Sequence, residues 1–209
     1  MNIDNNTPIL RIDKLRKKDY KLAIASAIKG MHFDWYMDQK WMQKLYGKYF
    51  LYSELLNATN IYVAYYGKEF AGLMLVNMKD KKKIYKSITK RLYVKFFNIL
   101  EKIGDNEADI YDVTNDNMLT KYELETNVDG EISFLAANPS LHIKGVGRFL
   151  MSVAEKDLLG KRLYLFTDDA CNFGFYEHMK FEKIDSEKII LDLPKGHIPI
   201  ECYLFSKIF

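Results

Sequence analysis

Near the start of the chain, ILRIDKL alternates apolar and polar residues, which predicts an edge strand. Residues 19–30 read as a helix, with Asp19 placed as its N-cap and Gly30 as its stop. A second helical stretch over about 38–57 is dense in aromatics: Trp41, Tyr46, Tyr49, Phe50 and Tyr52. Two apolar runs, NIYVAYY and FAGLMLVNM, are separated by GKE and predict an antiparallel hairpin. Over residues 79–102 the period becomes helical, and Ile84, Ile88, Leu92, Phe96 and Leu100 form one apolar stripe. EISFLAA predicts a strand with Ile132, Phe134 and Ala136 on one face and Glu131, Ser133 and Leu135 on the other. After the turn-rich NPSLHIK comes a helix, GVGRFLMSVAEKDLLG, with Val146, Phe149, Leu150 and Val153 as its buried face and Gly160 as its stop. RLYLFT is nearly continuously apolar, as for a strand covered on both faces. A short helix in CNFGFYEHM and two last strands, about KIDSEKIILDL and PIECYLFSKI, complete the layout. Strands, helices and strands around one mixed sheet define an α/β or α+β domain.

Composition narrows the function classes. The 209 residues fit one domain carrying an expansion, and 48% hydrophobic residues supply a sizeable core. A formal charge of +3 gives no ground for a nucleic-acid partner, and no apolar run reaches the roughly 18 to 20 residues of a membrane span. The N-terminus, MNIDNNTPILRIDK, lacks the basic start and apolar run of a secretory signal. Two cysteines and four scattered histidines give no disulfide framework and no metal-ligand spacing, so no metal is expected. A soluble cytoplasmic protein without a membrane partner is the expectation. Charge is nevertheless segregated: residues 79–102 carry net +7 and residues 105–131 net −8. A solvated basic face on an inserted helical arm is the default for the first segment, with a nucleic-acid or anionic-membrane surface as the alternative.

The informative stretch is Lys144-Gly145-Val146-Gly147-Arg148, between a strand and a helix. Glycines there allow close backbone approach, and a helix N-terminus presents unpaired N–H groups and the positive end of its dipole. A phosphate or pyrophosphate is the natural guest. No GxxxxGK[ST] occurs, so a P-loop is out. A dinucleotide fingerprint would use Gly145, Gly147 and the strand-end Asp168, but Leu150 occupies the place of the third glycine.

Residues 131–181 resemble the GNAT superfamily of acyl-CoA-dependent N-acetyltransferases. The family's Gln/Arg-x-x-Gly-x-Gly/Ala element corresponds to His142-Ile143-Lys144-Gly145-Val146-Gly147, with His142 in place of the usual Gln or Arg. Its late tyrosine helix corresponds to FGFYEHMKF, with Tyr176 in place and Lys180 where glycine is usual. The earlier strand, helices and hairpin follow the family's order, leaving residues 79–129 as an insertion in a single domain of residues 1–209. The resemblance implies a central mixed, mostly antiparallel sheet flanked by helices.

It also implies acetyl-CoA as co-substrate. The amides of Lys144, Gly145, Val146, Gly147 and Arg148 would hold the pyrophosphate. Leu135, Ala136 and Ala137 would pair with the pantetheine arm, and Asn172, placed on the late helix, would add a polar contact. His142 belongs to the same motif. The resemblance further implies transfer of acetyl to a primary amine of a small molecule or protein by direct attack. An alkyl ammonium is mostly protonated at neutral pH, so a carboxylate must accept its proton; Glu131 is the candidate, and a surface ion pair is its alternative role. Backbone N–H near Leu135 or Ala136 would face the developing oxyanion, and Tyr176 would protonate the departing thiolate. Trp35, Tyr36, Trp41, Tyr49 and Tyr52 lie on the segment that walls the acceptor site in this fold, most of them as core. Asp109, Asp112 and Asp116 share one helical face. Cys171 reads as a small buried thiol and His178 as a helix-surface residue. The family often dimerises, so a homodimer is compatible with the resemblance. The alternative function is a non-catalytic acyl-CoA-binding sensor or partner-docking module.

Overall fold

The computed structural model describes residues 9–103, 110–193 and 196–209. Its seven strands are β1 (Leu10–Ile12), β2 (Asn60–Tyr66), β3 (Glu69–Met78), β4 (Gly130–Ala137), β5 (Arg162–Asp168), β6 (Glu182–Leu193) and β7 (Gly196–Ile208). They form one sheet in the order β1-β2-β3-β4-β5-β7-β6, antiparallel except for β4 and β5. The helices are α1 (Tyr20–Gly30), α2 (Phe33–Tyr36), α3 (Lys40–Asn57), α4 (Ile88–Ile103), α5 (Ile110–Glu125), α6 (Val146–Asp157) and α7 (Gly174–His178).

Side-chain alternation along the strands divides the core. Met74, Val76, Leu163, Leu165 and Phe205 bury themselves with Leu150, Met151 and Ala154 of α6. Leu73, Leu75 and Val63 face the other way, onto Ala23, Ala27, Leu51 and Leu55 of α1 and α3. Next to that second layer, Tyr164, Cys202 and Leu204 pack with Met118 of α5. β5 is thus covered on both faces, as its apolar run requires.

Several expectations are corrected in detail. Asp19 precedes α1 but does not cap it with its side chain; its buried carboxylate accepts a hydrogen bond from the Tyr65 hydroxyl at 2.9 Å. On α6, Met151 and Ala154 join Val146 and Leu150 as the fully buried residues, while Phe149 and Val153 are partly buried against them. The expected helix over 79–102 begins only at Ile88. Its anticipated stripe is also the wrong side to bury: Ile84, Ile88, Leu92 and Phe96 face solvent, and Tyr93 and Phe97 make the contact with α3.

The β4 register holds the main correction. Leu75 pairs with Phe134 and Val76 with Ile132, so Ser133 is an extra residue, a β-bulge. The bulge flips the alternation. Ile132 and Leu135 share the α6 face, whereas Phe134 and Ala136 pack with α1 and α3. A two-residue period cannot foresee this, because nothing in EISFLAA marks the slip.

Candidate active site

A bulged strand bends and twists away from its neighbour. β4 pairs with β5 only at Gly130↔Leu163 and Glu131↔Tyr164. Beyond that point β4 stays with β3 through Gly72↔Ala137, and β5 stays with β7 through Asp168↔Cys202. The two parallel strands therefore part, and Glu131 stands at the apex of the opening.

Backbone alternation decides which groups line it. The Asn138 amide donates to the Ala71 carbonyl at 2.8 Å, and the Ala136 carbonyl lies against Gly72. Residues 136 and 138 thus direct their backbone groups at β3, which turns those of Leu135 and Ala137 toward the parted edge. Of the three residues expected to pair with the pantetheine arm, Ala136 is the one whose backbone faces the wrong side; the same geometry removes its N–H as an oxyanion donor and leaves that of Leu135. Asn138 also donates from Nδ2 to the Phe70 carbonyl at 2.8 Å and accepts from the Ser140 amide at 3.0 Å. This buried anchor of the 138–145 loop was missed by sequence reading, although the Asn138-Pro139 pair is an ordinary turn signal.

At the mouth, Gly145 has φ +85°, a left-handed conformation that suits glycine, and a Cβ built there would meet nothing within 4 Å. Its carbonyl accepts from the Phe149 amide at 2.9 Å, so α6 starts at once. Val146, Gly147 and Arg148 open the helix, where N–H groups have no intrahelical acceptor. Lys144 and Arg148 are exposed, as is His142. A Cβ on Gly147 would lie 3.0 Å from the Phe175 ring, so the start of α6 and α7 stand against each other. Asn172 is exposed and precedes α7 instead of lying on it.

Glu131 is partly buried, and desolvation of its carboxyl, followed by the like charges of Glu54 on α3 and Asp116 on α5, pushes it up to about 7. The neighbouring Asn77 amide offsets part of the rise. Glu54 is raised as well, chiefly by burial, with the Ser133 hydroxyl near enough to oppose the rise without closing a hydrogen bond. Glu54 Oε2, Asn77 Oδ1 and Ser133 Oγ are buried with no hydrogen-bond partner among the described residues. The expected surface ion pair for Glu131 is therefore not its environment. Glu54 itself escaped sequence reading, because the 77 positions separating it from Glu131 are closed only by α3 packing on the sheet.

Tyr176 is partly buried between Phe175, Phe181 and Phe205, and desolvation of its phenol there, with the nearby Cys171 and Asp168, raises it well above the usual range. Asp168 ends β5, where its Oδ1 accepts the amides of Ala170 and Cys171 at 3.0 Å each and its Oδ2 accepts the Tyr111 hydroxyl at 3.0 Å. It shapes the turn into α7, which is a different task from holding a ribose. The Cys171 thiol is pushed up to about 12 by burial and by Asp168, and it points at the Gly30 carbonyl at 3.8 Å. It is no activated nucleophile. His178 Nδ1 contacts the Gly174 carbonyl within its own helix.

The aromatic segment divides. Trp35 and Tyr36 pack beside α5 and the β5–β7 layer, Tyr49 and Tyr52 hold α4, and Trp41 is 62% exposed. Asp109 lies outside the described residues; Asp112 and Asp116 are exposed on α5. Among the described residues no group of three or more potential ligands is placed to hold a metal ion, and no helix is long and apolar enough to cross a membrane.

No family model matches the sequence, and no curated protein matches it significantly. Solved structures do match over nearly the whole chain. One described as histone acetyltransferase HPA2 and related acetyltransferase, from Corynebacterium glutamicum, shares 12% identity over 95% of this chain and 95% of its own, with a TM-score of 0.55. A Drosophila melanogaster polyamine N-acetyltransferase, described as forming N-acetylagmatine, shares 10% over 94% of this chain and 99% of its own, with a TM-score of 0.52. An acetyltransferase assigned to the GNAT family, from Desulfovibrio desulfuricans, shares 13% over 96% and 98%, with a TM-score of 0.50. The fold of this chain is that of the GNAT N-acetyltransferase superfamily.

Proposed function

We propose that the protein is an N-acetyltransferase that moves acetyl from acetyl-CoA to a primary amine of a small molecule or protein. The observation that carries this reading is the parting of β4 and β5 immediately beyond Glu131, with the open Gly145 turn and the start of α6 at the mouth. An extended arm fits an unpaired strand edge, and a diphosphate fits a helix start flanked by Lys144 and Arg148. Bound there, acetyl-CoA supplies an acetyl thioester.

The chain's own groups do the rest. Amides at 144–148 hold the diphosphate, and the backbone of Leu135 and Ala137 holds the arm. Glu131, with its carboxyl near 7, accepts a proton from the amine at neutral pH. The Leu135 N–H is directed at the side where the oxyanion develops. Tyr176 keeps its proton until a thiolate needs it and then donates it. Attack is direct, because Cys171 is held as a thiol. Residues 79–129 are an insertion in one acyltransferase domain, and Trp35 and Tyr36 are the aromatics retained as acceptor walls.

Calorimetry with acetyl-CoA tests the reading on the parent and on Lys144→Glu/Arg148→Glu. These exposed charge reversals are preferable to Gly147→Glu, which would also strike Phe175. Binding by the parent, lost in the folded variant, followed by turnover with a panel of amines, is the expected result. No acetyl-CoA binding by the parent would overturn the proposal. Binding without turnover of any amine would favour an acyl-CoA sensor.

A further inference from the structure

The basic helix α4 turns outward the side that its sequence marks for burial. At about 100° per residue, Ile88, Ile99, Leu92 and Phe96 fall within roughly an 80° arc. Ile88 is 78% exposed, Leu92 62% and Phe96 58%, and Ile84 extends the stripe ahead of the helix. Arg91 and Lys95, both exposed, run along one margin of this arc, and exposed Lys86 precedes it.

The helix is not free to roll the stripe inward. Its opposite side is committed to α3: Phe97 stacks on Tyr49 at 5.2 Å, and Tyr93 meets Tyr52 edge-on at 5.6 Å. The Tyr93 hydroxyl donates to the Leu45 carbonyl at 3.2 Å, the Tyr49 hydroxyl donates to Asn98 at 2.8 Å, and Lys48 lies 4.2 Å over the Tyr93 ring. Leu45 and Trp41 on α3 are themselves exposed, which carries apolar surface onto the neighbouring helix.

We infer that α4 is a docking surface for an anionic lipid bilayer, its apolar stripe entering the headgroup boundary while Arg91, Lys95 and Lys86 meet lipid phosphates and carboxylates. An exposed apolar stripe bordered by cations, on a helix of low net hydrophobicity, is the pattern of a helix lying in the interface plane. Charge selects this occupant over the others. A second copy packed antiparallel onto the stripe about a two-fold axis would set the same cations against one another. A nucleic acid would leave Ile88, Leu92 and Ile99 against phosphates. A membrane span was excluded on length, and attachment to a surface is a separate matter.

The full chain is tested by sedimentation with phosphatidylcholine vesicles, with and without phosphatidylserine. The expected result is binding to the phosphatidylserine vesicles alone, weakened at least tenfold in Arg91→Glu/Lys95→Glu and lost in Leu92→Glu/Phe96→Glu. All four positions are exposed, so the variants should melt as the parent does. The inference fails if the parent does not bind the anionic vesicles, or if Leu92→Glu/Phe96→Glu binds as well as the parent. It fails equally if the stripe mediates self-association or RNA binding with no affinity for vesicles. None of these readouts involves acetyl-CoA, so the outcome is independent of the proposed activity.

Discussion

Glu131 has its carboxyl raised from 4.5 to about 7 in the folded chain, first by burial and then by Glu54 and Asp116. Below pH 4.5 both folded and unfolded chains hold the proton, and there is no cost. As pH rises from 4.5 to 7 the unfolded chain releases it first, so stability falls, and above 7 the loss is complete. Glu131→Gln should therefore melt like the parent at pH 4 and be more stable by about 2–3 kcal/mol at pH 8. Its kcat/KM should fall about a hundredfold or more, and the acidic limb expected near pH 7 in the parent should vanish. Equal melting at both pH values would show that the carboxylate is not held in this environment. Tyr176→Phe should keep acetyl-CoA affinity and lose turnover, measured on the same preparation. Lys180 occupies the left-handed region at φ +65°, which explains why glycine is usual at this place in the resembling motif. That conformation costs a non-glycine residue about 1–2 kcal/mol, partly offset by the greater unfolded-state entropy of glycine. Lys180→Gly should stabilise the fold by the remainder, about 0.5–1 kcal/mol, read as a higher denaturation midpoint. Gly145 and Lys180 were legible because each sits at a left-handed position that few residues adopt. Glu54 was not, because a glutamate on a long polar helix becomes notable only once the sheet buries it.

At the scale of elements, the site depends on how closely β3, β4 and α6 approach one another. A Cβ on Gly72 would stand 2.6 Å from the Ala136 carbonyl oxygen and 2.9 Å from Val146 Cγ1. The oxygen is backbone and cannot swing aside. Gly72→Ala should cost about 1–3 kcal/mol in chemical denaturation and should weaken acetyl-CoA binding by displacing the end of β4. An unchanged denaturation midpoint would mean that the strands part more freely than this packing allows. The hairpin of β2 and β3 and the α6 helix follow directly from their hydrophobic periods. The bulge at Ser133 and the facing of α4 do not. One residue of slip reverses which strand positions are buried, and two adjacent apolar stripes on α4 compete for α3. The aromatic pair Tyr93 and Phe97 wins because Tyr49 and Tyr52 offer rings to stack on.

Across the whole molecule, α4 and α5 are held unequally. α5 buries Met118 against β5 and β7, donates from Tyr122 to Ser206 at 3.1 Å, and reaches Asp168 through Tyr111. α4 rests on α3 and leaves Ile88, Leu92, Phe96 and Ile99 to solvent. Local opening follows buried contact, so amides of α4 should exchange with deuterium well before those of α5, and both before β3 and β7. Equal protection of α4 and β3 would require a covering partner on the stripe, which vesicle binding would supply.

Local sequence pattern set most of the element order, the antiparallel hairpin of β2 and β3, and the glycine turn into α6, because these rest on local periodicity and on conformations that few residues adopt. Folding in three dimensions settled which face each strand buries, which side of α4 meets the core, and that Glu54 and Asn77 come to stand beside Glu131 within reach of the exposed Asp116. Those outcomes depend on burial and on charges distant in the chain. No local pattern encodes either.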